Sequence, residues 1–174
     1  MGKQTSAEPA AAASLSSPSA HKRKFLVVID DTPESDRAVT FAANRVHHVG
    51  GSVVLLSVLQ TQEFAQFLGV EEVMRAEARD EIERLLDARL ARIASIGDIR
   101  TETVIREGDM REAIERLVTE DPEIGILVLA ASSGKDGPGQ LITDFAARSG
   151  GAALPVIVTI IPGTMTDAQI IAAT

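Results

Sequence analysis

Ser132-Ser133-Gly134-Lys135-Asp136-Gly137-Pro138-Gly139 is the segment of this chain best equipped for chemistry. Glycines at 134, 137 and 139 let the backbone turn tightly and let a ligand come close. The first amides of the helix expected after the loop would offer unpaired donors to an anion. Lys135 adds a fixed positive charge, so phosphate binding is the chemistry such a loop could do. A plain surface turn made of Gly and Pro is the competing reading. The Lys-Ser/Thr ending of a P-loop and the spacing of a dinucleotide fingerprint are both missing, so neither chemistry follows.

Asp30-Asp31-Thr32 is the second polar group, placed after an apolar run. Paired acids there could hold Mg²⁺ in a phosphoryl-accepting receiver, but that chemistry also needs an Asp ending the third strand and a Lys ending the fifth. The chain has Arg106-Glu107-Gly108 and Ile160-Ile161-Pro162 at those places, which argues against a receiver. Asp31 or Thr32 can instead cap the following helix, with Pro33 in its first turn, and Asp30 can hydrogen-bond a ligand. No nucleophile elbow, cysteine nucleophile or His-Glu-x-x-His motif is present, so no catalytic residue is assigned. His47 and His48 are sequence neighbours on a helix and point apart, so no metal site is expected.

The elements that position these groups follow from apolar patterning. With 174 residues and 45% hydrophobic content, the chain has material for one ordinary domain with a core. It lacks the ~20 uninterrupted apolar residues of a membrane span, so no membrane association is expected. The absence of cysteine removes disulfides and thiolate chemistry and fits a cytoplasmic location. A net charge of -8, with neither Trp nor Tyr, speaks against nucleic acid as a partner. Residues 1–22 are rich in Ala, Ser and Pro and are expected as a disordered tail.

Buried strands are expected at 25–29, 52–59, 124–131 and 156–161, and a half-buried one at 101–106. Helical spacing marks 32–49, then a long amphipathic helix over 70–93 with an inward stripe from Val70 and Val73 to Ile93. On its outer face Glu71/Arg75 and Asp80/Arg84 stand at pairing distance. A helix follows Gly108-Asp109, and another spans about 138–149. Strands alternating with helices predict a doubly wound α/β fold with a parallel sheet, of order 3-2-1-4-5 by analogy. That order puts a ligand crevice beyond the first and fourth strands, where both polar groups lie. The domain is set at 23–162, and 163–174 form a C-terminal tail with a short helix around Ile170-Ile171.

Four segments taken together resemble the universal stress protein family over about residues 24–162. They are the strand from Phe25 with its Asp30-Asp31-Thr32-Pro33-Glu34-Ser35 end, the Gly51–Val58 strand, the Arg106-Glu107-Gly108-Asp109 turn, and Pro155-Val156-Ile157-Val158-Thr159. The resemblance implies a homodimer joined through the fifth strands and, in one branch, ATP at the crevice. There Asp30 would contact the nucleotide and the backbone near Val58 would meet the adenine. That branch's Gly-x-x-Gly, nine residues, Gly-Ser/Thr signature is altered. Gly134 and Gly137 supply its first half, but Ala147-Arg148 follow at the distance where Gly-Ser/Thr should stand. Counting back from Pro155 puts Ile142-Thr143 there instead, with Ala130 or Ala131 at the first Gly. An alanine forced into a left-handed conformation would cost about 1–2 kcal/mol.

The expectation is a stress-response regulatory protein with a remodelled nucleotide or anion pocket. Asp30, Asp31, Thr32 and Val58 would form one wall. Ser132, Ser133, Gly134, Lys135, Gly137, Gly139 and Thr143 would hold phosphate. ATP or AMP is the expected ligand, with Mg²⁺ accompanying ATP. The alternative is a protein-interaction regulator that binds no nucleotide, with a slow ATP hydrolase third.

Overall fold

The computed structural model describes residues 23–60, 69–134, 137–147 and 154–174. Residues 1–22, Lys135 and Asp136 therefore lie outside the described part. Five strands, β1 (Lys24–Val28), β2 (Ser52–Leu59), β3 (Thr101–Glu107), β4 (Ile124–Ala130) and β5 (Ile157–Ile161), form a parallel sheet. Its order is β3-β2-β1-β4-β5, as expected. The helices are α1 (Ser35–Val49), α2 (Glu71–Ile96), α3 (Met110–Glu120), α4 (Gln140–Ala147) and α5 (Asp167–Ala172).

Alternation along β1 explains the two layers of core. Phe25, Val27 and Ile29 pack with α1, α2 and Ile170 of α5 on one face. Leu26 and Val28 pack with α3 and with Ile142 of α4 on the other. Because β1 is buried on both faces, its residues after Lys24 are apolar without a break. Gly50 ends α1 in the left-handed region at φ 78°, its N–H donating to the Val46 carbonyl at 2.8 Å.

The start of α1 departs from expectation. Neither Asp31 nor Thr32 caps it; residues 32–34 form a turn, the helix begins at Ser35, and Glu34 occupies the cap position without a side-chain capping bond. A turn closed by Ser35 N–H on the Thr32 carbonyl at 3.3 Å, with the Thr32 amide and hydroxyl donating to the Asp30 carboxylate, precedes the helix. At α3, by contrast, the Asp109 carboxylate accepts from Arg111 N at 2.9 Å and Glu112 N at 3.0 Å.

The apolar stripe of α2 is buried only in part. Ile82, Leu86 and Ile93 are in the core, whereas Val70 and Val73 are 49% and 59% exposed. At about 1.5 Å per residue a 26-residue helix outruns an 8-residue strand at about 3.3 Å, so its first turns extend past the sheet. Glu71 and Arg75 pair at 2.9 Å as expected, but Arg84 turns to Glu81 rather than to Asp80.

At the amino-terminal edge of the sheet, the buried Lys24 sends Nζ to Asp121 at 2.8 Å, Glu102 at 3.1 Å and Glu123 at 3.6 Å. One ammonium thus ties the foot of β1 to β3 and to the α3–β4 turn. The segment after β5 is also held firmly. Ile170 is 1% exposed, Arg37 Nε donates to the Met165 carbonyl at 2.7 Å, and Arg92 pairs with Asp167 at 2.7 Å. Thr166 and Gln169 form a capping box that starts α5.

Candidate functional site

Strand β1 has β2 on one side and β4 on the other, so the connections from β1 and β4 leave in opposite directions and open a crevice at their carboxyl ends. A cleft of about 230 Å³ fills it. Val28, Leu129 and Ile142 give it an apolar floor; Asp30, Thr32, Glu34 and Ser35 come from the β1–α1 side. Ser132 and the Pro138-Gly139-Gln140 segment close the β4–α4 side.

On the first wall, Asp30 Oδ1 accepts from the Thr32 amide at 3.0 Å and from Thr32 Oγ1 at 2.5 Å. This local turn fixes the carboxylate at the cleft mouth. Behind it, the buried Ser35 hydroxyl lies 2.9 Å from the Thr32 carbonyl and receives a bond from Arg89 Nη2 at 3.2 Å. Arg89 also stands 3.1 Å from Asp36, so α2 pins the start of α1 from below.

On the opposite wall the amides of Ser132, Ser133 and Gly134, three of the residues foreseen as a phosphate cradle, have acceptors within the chain. Ser132 N–H donates to the Pro138 carbonyl at 3.1 Å, and Gly134 N–H to Ser132 Oγ at 3.1 Å. Ser133 N–H donates across the cleft to Glu34 Oε1 at 3.1 Å, and the Ser133 hydroxyl donates to the same oxygen. These donors, the hydroxyl first and the amide next, hold the Glu34 carboxyl below its ordinary value of 4.5. A lowered value means that this contact supports the fold above about pH 4.5 and is lost on acidification.

Asp30, Thr32, Ser132 and Gly139 therefore meet at one cleft. Asp31 is exposed outside its lining, and Ser133, Gly134 and Gly137 also stand outside it. Thr143 turns back, its N–H and Oγ1 both donating to the Gly139 carbonyl. Val58 packs its side chain into the α3 face of the core, two residues past the last β1–β2 partner pair, Val28–Leu56. No described residue other than glycine has a positive φ, so Ala130 and Ala131 carry no left-handed strain.

Glu34 and Gly163 were missed by sequence reasoning. Glu34 reads as an ordinary acid near a helix start. Gly163 reads as a residue of a tail, yet a Cβ there would fall 2.3 Å from the Ala131 carbonyl oxygen and 2.8 Å from Glu34 Cγ. Among the described residues no three His, Asp or Glu stand together as a metal site, and no helix is long and apolar enough to cross a membrane.

A model of the Universal stress protein family matches residues 22–148. Universal stress protein UspA from Lactobacillus plantarum is 18% identical, with a TM-score of 0.69 over 80% of this chain and 97% of that one. A protein of the same family from Burkholderia pseudomallei is 18% identical, with a TM-score of 0.64 over 83% and 99%. A universal stress protein solved in complex with cAMP is 18% identical, with a TM-score of 0.60 over 82% and 98%. Likeness at these identities speaks for the fold alone. No curated protein matches the chain.

Proposed function

Because the chain belongs to the universal stress protein family, we propose that it is a cytoplasmic stress-response regulator whose cleft between β1 and β4 binds an adenine nucleotide. The observation that carries this reading is the cleft itself: an apolar floor at the switch point with the Asp30 carboxylate fixed at its mouth. A base and ribose fit that combination, the base against Val28, Leu129 and Ile142, and a ribose hydroxyl donating to Asp30. The structure similar to this chain that holds cAMP supports a nucleotide as the ligand class. The volume, about 230 Å³, lies below the ~300–1,000 Å³ common for ligand sites and suits AMP better than an extended ATP.

The reading is of a binder rather than an enzyme, since both cleft carboxylates are engaged by their own chain. Isothermal titration with AMP, cAMP and ATP in the presence of Mg²⁺ tests it. Asp30→Ala is expected to weaken binding about 10- to 100-fold, the range for losing a hydrogen bond to a charged group. Equal affinity in the variant would remove Asp30 from the site. Phosphate released over time, and lost in Asp30→Ala, would make the protein an ATP hydrolase.

The alternative is a protein-interaction regulator that binds no nucleotide, and under either reading the edge strand β5 is the place for pairing. Ile157 and Ile160 are 58% and 44% exposed there, and Val158 is 39% exposed. Such an edge can pair with another strand, and the expected partner is a second copy. Sedimentation velocity over a concentration series should then show a dimer that Val158→Pro converts to monomer. A monomer at every concentration would reject homodimer pairing through β5.

A further inference from the structure

We propose that Glu34 sets the charge of the ligand, so that the cleft takes nucleosides and single-phosphate nucleotides in preference to triphosphates. This rests on the nucleotide-binding reading above and concerns which members of that class enter. Glu34 lines the cleft, and its Oε1 occupies both donors of Ser133, the N–H at 3.1 Å and the hydroxyl. Those are two of the groups a phosphate on this wall would need. The neighbouring amides of Ser132 and Gly134 are bound to Pro138 and to Ser132 Oγ. A protein carboxylate therefore occupies the Ser133 donors, where a phosphate held by that residue would place an oxygen.

Its position is enforced from behind. The Glu34 stem runs against residue 163, where only the lack of a Cβ leaves room for Glu34 Cγ. Asp30 is the second carboxylate on the cleft, and among the described residues that line it there is no Lys or Arg. Arg37, which also lowers the Glu34 pKa, spends its guanidinium on the Met165 and Pro33 carbonyls. A polyphosphate must therefore displace Glu34 from Ser133 and then lie beside its charge. A ribose or a single phosphate pointing outward meets neither obstacle, and a ribose hydroxyl can donate to the carboxylate.

Like charges about 5 Å apart repel enough to change affinity several-fold in water and more where water is partly excluded. The test is titration of the full chain and of Glu34→Gln with adenosine, AMP and MgATP. Glutamine keeps an oxygen acceptor for Ser133, and matching thermal midpoints would verify that the variant is folded. The native chain should bind adenosine or AMP at least about tenfold tighter than MgATP. In Glu34→Gln the gap should narrow about tenfold, through tighter MgATP binding with adenosine moving less than threefold. Binding with the same preference in both proteins, or a native preference for MgATP, overturns this inference and leaves the nucleotide reading standing. No binding of any probe to either protein overturns both.

Discussion

Lys24→Met is expected to lower the unfolding free energy by about 2–3 kcal/mol. A buried pair broken by removing one partner costs about 3–5 kcal/mol, because the remaining charge is left desolvated. Here the partners are only partly withdrawn from water: the Asp121 side chain is 23% exposed and that of Glu102 37%. The effect is accordingly placed below the fully buried range. Methionine retains the apolar stem, so packing in β1 is preserved and the loss reports on the ammonium. Urea unfolding should show a lower midpoint at an unchanged slope. A change under 0.5 kcal/mol would show that the three carboxylates rely on water rather than on Lys24.

The same cluster predicts a pH dependence. The hydrogen bond to Asp121 is the largest influence on Lys24 and raises its pKa above 10.5 despite the opposing effect of burial. A folded-state value above the unfolded one means that the ammonium stabilises the protein fully below about pH 10.5. That contribution disappears as pH climbs through the higher folded value. The native chain should therefore lose more stability than Lys24→Met between pH 10 and 12.

Gly163→Ala is the other large effect, expected at about 2–3 kcal/mol, the upper part of the range for overpacking. The added methyl would meet the Ala131 carbonyl oxygen at 2.3 Å and Ser133 N at 2.9 Å, and both are backbone atoms that cannot swing aside. The third neighbour, Glu34 Cγ at 2.8 Å, would be driven from its place beside Ser133. For a protein of this size the loss corresponds to about 5–10 °C in Tm. A Tm within 1 °C of the native one would mean that the segment after β5 gives way freely.

The sheet was legible because its signal is local and redundant. The runs Phe25–Ile29, Val53–Leu56 and Ile126–Ala130 are each continuously apolar, which only burial on both faces demands. The crevice followed from strand order, and with it the meeting of Asp30, Thr32, Ser132 and Gly139. The contact that most shapes the site was not legible. Glu34 and Ser133 are 99 residues apart, and each alone is an unremarkable polar residue. Pro162-Gly163 reads only as a turn; the need for glycine itself arises from three chain segments converging at one point. The exposed start of α2 shows a different limit: periodicity gives the apolar side of a helix, and the neighbouring sheet decides how much of that side is covered.

Strand β1 carries the Lys24 cluster at one end and leads into the Asp30 cleft at the other. Six residues of extended chain at about 3.3 Å each put roughly 20 Å between them. Groups that far apart with no shared partners contribute independently, their mutational free energies adding to within about 0.5 kcal/mol. The fold can thus accumulate changes around its crevice, and so drift in ligand preference, while its anchoring remains untouched. An engineer could use the same division, reinforcing the base of the sheet first and spending the added stability on a redesigned mouth.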